Sequence, residues 1–129
     1  MRMTSSSSPT VLVIDDSEDL LALLRLSVVR LCGFRAVTAR SLDEIKTLAA
    51  QALDCRMAIV DINLGPDAPN GVEVYRWLRS QGFERPIFFL TGHARTFPLV
   101  VEAERLGDVQ VLQKPLASAE LVKIIRGEY

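Results

Sequence analysis

Four short apolar runs, each leading into a chemically distinctive polar residue, constrain this chain more than any other feature. Val11–Ile14 runs into Asp15-Asp16, Met57–Val60 into Asp61 and Ile87–Leu90 into Thr91, while Val109–Leu112 is followed, after Gln113, by Lys114-Pro115. Apolar runs of this length, bounded by turn-forming residues, are how strands buried on both faces read. Parallel strands joined by helices bring their carboxyl ends to one edge of the sheet, where ligands bind. Three carboxylates, a hydroxyl and an ammonium are therefore expected in one crevice. That set suits a divalent cation and a phosphoryl group.

Between the runs the period changes. Leu20, Leu21, Leu24, Val28 and Leu31 form an amphipathic stripe, predicting a helix over Ser17–Leu31 that Gly33 stops. Phe34–Thr38 has the length and β-branched content of a strand nearer the sheet edge. Ser41-Leu42-Asp43-Glu44 reads as a capping box opening a helix to about Ala52. A third helix is expected from Gly71 to Ser80, ended by Gly82. A fourth begins at Pro98, and a short last one covers Glu120–Arg126. Regular alternation of strand and helix marks a parallel α/β sheet.

Bulk properties agree. A chain of 129 residues holds one domain with a proper core. Its net charge of −1 offers no footprint for nucleic acid or an anionic membrane. No apolar run approaches a membrane span. Residues 1–9, with serine at 5 to 8, read as a flexible tail rather than a targeting sequence, leaving 10–127 as the domain. Cys32 and Cys55 stand apart with no CxxC, as two buried free thiols would in a reducing cytoplasm.

Asp15, Asp16 and Asp61 would repel strongly unless a proton or a cation sat among them. Mg²⁺ is the natural occupant, preferring hard oxygen ligands and phosphate oxygens. Asp61 is then a candidate nucleophile that would form an acyl phosphate. Lys114 would pair with one phosphoryl oxygen, the Thr91 hydroxyl would donate to another, and Gly92 would leave room and offer a backbone N–H. Taken singly, each has a plainer reading. Asp15-Asp16 alone would be a helix cap, Lys114 a solvated lysine, Thr91 a turn residue. Their coincidence at successive strand ends is what capping leaves unexplained.

Asp15-Asp16, Asp61, Thr91 and Lys114-Pro115, in this order and spacing, resemble the receiver domain of two-component response regulators. The likeness spans about residues 10 to 127. It implies a flavodoxin-like, doubly wound α/β fold: a five-stranded parallel sheet, order 2-1-3-4-5, with helices on both faces. It further implies that Asp61 takes a phosphoryl group from a phosphohistidine on a sensor histidine kinase or phosphotransfer protein. Asp16 would bind Mg²⁺ directly and Asp15 through water, with the Asn63 backbone carbonyl completing the site. Thr91 would swing toward the phosphate, Lys114 would ion-pair with it, and Lys114–Pro115 would be cis. Such a domain is no enzyme beyond assisting its own phosphorylation and dephosphorylation.

Some residues depart from the family's pattern. Val111 stands where most receivers carry Tyr or Phe, so an aromatic rotamer switch is impossible. The loop from Ile62 to Gly71 is longer than the common form, and two prolines suggest a stiff protrusion. His93 and Asn63 occupy positions that flank the phosphoryl group in the family, although a partly exposed loop histidine is the simpler reading of His93. Ala117 replaces a capping residue, which predicts a frayed last helix. Tyr75 and Trp77 read as packing residues, Arg76 and Arg79 as a solvated face.

Two classes of function follow. One is a phospho-accepting receiver signalling to an unknown downstream protein. The alternative is a pseudo-receiver, a binding module that recognises its partner regardless of phosphate. A phosphatase reading is disfavoured, because those enzymes place a second aspartate where Asn63 stands. The segment from Phe97 to Ile125 is expected to leave Val100, Val101, Val109, Leu121 and Val122 partly exposed and to support a homodimer.

Overall fold

Strand register accounts for most of the architecture of this computed structural model, which describes residues 9–128. All but Pro9 of the expected tail lies outside them. Five parallel strands form one sheet in the order β2-β1-β3-β4-β5: β1 Thr10–Ile14, β2 Arg35–Ala39, β3 Met57–Asp61, β4 Ile87–Thr91 and β5 Gln110–Gln113. Every residue of β3 and β4 is buried, as continuous apolar runs require when helices cover both faces. β2 and β5 are the edge strands, and β5 is half-exposed rather than buried on both faces as the Val109–Leu112 run suggested.

The helices are α1 Glu18–Leu26, α2 Leu42–Thr47, α3 Ala49–Leu53, α4 Gly71–Ser80, α5 Pro98–Glu104 and α6 Ser118–Arg126. Leu12, Ile14, Val60 and Phe89 pack on one face of the sheet against residues of α2 to α5, such as Ile45, Ala52, Leu78 and Val100. Val11, Val13, Ile59 and Phe88 pack on the other face with Leu24 of α1, Val28, and Leu121 and Ile125 of α6. Alternate strand residues thus feed two separate cores.

Local chemistry explains where the elements depart from expectation. The helix begun by α1 continues over Ser27–Leu31 as a π-helical turn, and this carries Leu31 off the apolar stripe into solvent. Phe34 N–H donates to the Val28 carbonyl at 3.1 Å, so Phe34 closes that turn and β2 begins one residue later. The Ser41 box is only half made. Ser41 Oγ accepts from Glu44 N–H at 3.2 Å, but the Glu44 carboxylate accepts from Arg40 N–H at 2.8 Å instead. The Arg40 guanidinium draws it there, pairing with both Glu44 and Glu18.

The helix expected to reach Ala52 breaks at Leu48. Thr47 Oγ1 donates to the Glu44 carbonyl at 2.7 Å, occupying the acceptor that Leu48 N–H would use, and Leu48 turns to Ile45 instead. At α4 the box is complete but uses Asn70 and Glu73. Pro98 opens α5, as expected. Ala117 caps nothing, yet α6 runs intact from Ser118, earlier than expected, and Gly127 at φ 79° closes it.

Four side-chain expectations need correction. Val100 and Leu121 are fully inside the protein, so the Phe97–Ile125 face exposes less apolar area than its sequence suggested. Cys55 is buried, with its thiol pushed up to about 12 by desolvation, but Cys32 is only half-buried. Tyr75 and Trp77 do pack against the core. Arg76 is exposed and pairs at the surface with Glu102, in keeping with a solvated face. Arg79, however, is half-buried and anchored to Asp108 and to the carbonyls of Phe83 and Arg85, so it is not part of a free solvated face. No helix among the described residues is long and apolar enough to cross a membrane.

Candidate functional site

Register decides which strand-end side chains meet. Ile14 lies level with Val60, so Asp15 and Asp61 leave β1 and β3 side by side. Asp61 is level with Leu90, and Thr91 with Gln113, which sets Thr91 and then Lys114 successively further along the same edge. Carboxylate oxygens of Asp15, Asp16 and Asp61 lie within 4.8 Å of one another. Asp15 and Asp61 are buried, whereas Asp16 is exposed. Lys114 Nζ sits 3.3 Å from Asp15 Oδ2 and 3.3 Å from Asp61 Oδ2.

One ammonium facing this carboxylate cluster leaves surplus negative charge. The Asp61 carboxyl is accordingly pushed up to about 6, chiefly by burial and then by Asp15, with Lys114 opposing both. Hard oxygen donors with excess negative charge are what a divalent cation binds, and this cluster could hold a metal ion. Among the described residues it is the one such group of acidic, histidine or cysteine side chains.

The surroundings hold these groups in place. Asp15 Oδ1 accepts from Ser17 N–H at 2.9 Å, at the start of α1. Asp61 Oδ1 accepts from Asn63 N–H at 3.3 Å. Thr91 is buried; its Oγ1 accepts from His93 N–H at 3.0 Å, and its carbonyl accepts from Lys114 N–H at 2.8 Å. The Lys114–Pro115 peptide is cis, as the resemblance implied. Gly92 is exposed, and a Cβ there would meet nothing within 4 Å, so space beside Thr91 is already open.

The loop after β3 is anchored rather than simply protruding. Ile62 and Leu64 are buried, Gly65 N–H donates to Asn63 Oδ1 at 3.1 Å, and Asn63, Pro66 and Asp67 are exposed. Gly71 begins α4 flush against the site: a Cβ there would lie 2.5 Å from the Asp61 carbonyl oxygen. The Asn70–Glu73 spacing carried a capping signal that sequence reading passed over. His93 Nε2 lies 3.2 Å from Asn63 Nδ2, and its ring stacks on Phe97 with centroids 4.1 Å apart and planes at 9°. Nothing in the sequence announced that stack, which depends on how residues 91–97 fold. Val111 is half-buried against the core and leaves no aromatic ring on β5.

A parallel sheet in this order, with an acidic cluster and a lysine at its carboxyl edge, defines a receiver. The chain belongs to the response regulator receiver domain family, whose pattern matches residues 11–126, and it is a signalling domain of two-component systems. It is 35% identical over 118 residues to the C4-dicarboxylate transport transcriptional regulatory protein DctD of Pseudomonas aeruginosa, covering 90% of this chain and 24% of that protein. Over 126 residues it is 29% identical to the response regulator protein TodT of Pseudomonas putida F1, covering 98% of this chain and 53% of that one. The chain thus spans a quarter to a half of these relatives' lengths. The chemotaxis protein CheY4 of Vibrio cholerae superposes with a TM-score of 0.77 at 25% identity, over 94% of this chain and 98% of that one. The receiver domain of NtrX from Brucella abortus shares the fold, with a TM-score of 0.75 at 24% identity over 91% of this chain and 95% of that one.

Proposed function

We propose that Asp61 accepts a phosphoryl group from the phosphohistidine of a cytoplasmic sensor kinase or phosphotransfer protein, and that the acyl phosphate alters contacts with a downstream protein. The observation that carries this reading is the Asp61 carboxylate, buried at the end of β3, crowded by Asp15 and faced by the Lys114 ammonium at 3.3 Å. A carboxyl near pH 6 is mostly ionised at neutral pH, and burial has stripped it of solvating water. It is therefore ready to attack phosphorus.

In that step an Asp61 oxygen forms the bond to phosphorus as the P–N bond breaks, and the leaving imidazole nitrogen keeps the electron pair and takes up a proton. Asp15, Asp16, Asp61 and the Asn63 carbonyl would hold Mg²⁺, which supplies positive charge for the phosphoryl oxygens. Lys114 pairs with one phosphoryl oxygen. Thr91 turns its hydroxyl toward another, giving up the bond from His93 N–H, and the Gly92 N–H is available beside it. Position and charge neutralisation are the main demands of such a transfer.

Intact-protein mass after incubation with a small phosphoryl donor and Mg²⁺ tests the reading. One added phosphoryl group is expected, absent in Asp61→Asn and absent without metal. No mass shift, together with no binding of beryllofluoride, would overturn it in favour of a pseudo-receiver. Val111, which removes the aromatic switch, is the one residue that points that way.

A further inference from the structure

We infer that α1 and its π-helical extension dock antiparallel on the same surface of a second copy of this chain. Leu23, Leu26, Val29 and Leu31 are 60%, 52%, 39% and 50% exposed. Single exposed leucines are ordinary, but four large apolar side chains exposed within nine residues are a local concentration. Part of it is produced by the backbone. In an uninterrupted α-helix, Leu31 would fall on the core stripe with Leu24 and Val28. The π turn over Ser27–Leu31 keeps Val28 buried and turns Leu31 outward.

The second copy is selected by charge. Asp19, Leu23 and Leu26 stand at i, i+4 and i+7, the seam spacing of helices that pack lengthwise, Arg30 follows four residues on within the π turn, and all four are exposed. Run antiparallel, this seam is its own complement. Leu23 lies opposite Leu26 of the second copy, and Asp19 opposite Arg30. Neither Asp19 nor Arg30 has an ion-pair partner among the described residues. Ala22, also exposed beside the seam, lets the helices approach closely. A two-fold contact of this kind closes on itself and stops at a dimer. Few side chains are covered, so the dimer is weak and concentration-dependent. Because the seam lies on α1 and its π turn, association is independent of the phosphate reading at Asp61.

Sedimentation velocity of the full chain from about 10 µM to about 1 mM tests the proposal. The wild type is expected to shift from monomer toward dimer across this range, and Asp61→Asn to behave identically. Leu26→Asp should abolish the shift. Asp19→Arg and Arg30→Asp should each weaken it at least about tenfold by setting like charges opposite, and the double exchange should restore it. Far-UV circular dichroism confirms folding, and if Leu26→Asp fails to fold, the charge exchange decides. A monomer at every concentration, or a dimer indifferent to these substitutions, overturns the proposal and leaves these side chains to a different protein.

Discussion

Asp61 is in tension with the fold that holds it. Its carboxyl titrates near 6 in the folded protein against an ordinary value of 3.8, so the native state binds the proton more tightly than the unfolded chain. Its stabilising contribution is therefore full below about pH 3.8, declines as pH rises through the window, and is gone above about pH 6. In chelator, chemical denaturation should show Asp61→Asn more stable than wild type at pH 7 by about 1–3 kcal/mol, with the difference closing toward pH 4. A variant no more stable than wild type at pH 7 would contradict this account. The carboxylates, Thr91 and Lys114 were legible in the sequence because each stands at or just beyond the end of an apolar run, where parallel topology alone brings them together. The contact of His93 with Phe97 was not, since it depends on loop dihedrals that no periodicity encodes.

Among elements, strands were easier to read than helix ends. A buried strand announces itself through a continuous apolar run, as β1, β3 and β4 did, whereas β5 is half-exposed and its run is interrupted by Gln110. Helix boundaries turn instead on competition for single carbonyls and amides, as at Leu48, where the Thr47 hydroxyl takes the acceptor the next turn needs. Caps also differ in weight. Asn70 and Glu73 satisfy each other's amides at the start of α4, directly behind Asp61. Asn70→Ala should therefore cost about 1 kcal/mol in urea denaturation. Arg40→Ala removes two exposed ion pairs and should cost less, roughly 0.5 kcal/mol. The reverse order would show that the Arg40–Glu44–Glu18 cluster, rather than the α4 cap, stiffens this edge.

At the scale of the molecule, the order of the strands sets surplus negative charge at one edge of the sheet. Cation binding to the folded state alone raises stability by mass action, about 2.7 kcal/mol at a hundredfold excess over Kd. Millimolar MgCl₂ should accordingly raise Tm in the wild type, and markedly less in Asp16→Asn or Asp61→Asn. Equal shifts in all three would place the ion elsewhere. The strand order itself came from family likeness, whereas the division of helices between the two faces follows from alternation within each strand. Which apolar residues stay outside was not legible: Val100 and Leu31 exchange their expected places because one sits at a tightly packed helix–sheet contact and the other follows a π turn.

That division of faces has an optical consequence. The single tryptophan, Trp77, lies on α4 and packs against the core that backs Asp61, with the sheet between it and α1. Its emission should respond to events at the acceptor edge and stay silent when two α1 helices meet. One unlabelled sample thus carries two separable channels, fluorescence for phosphoryl chemistry and sedimentation for self-association.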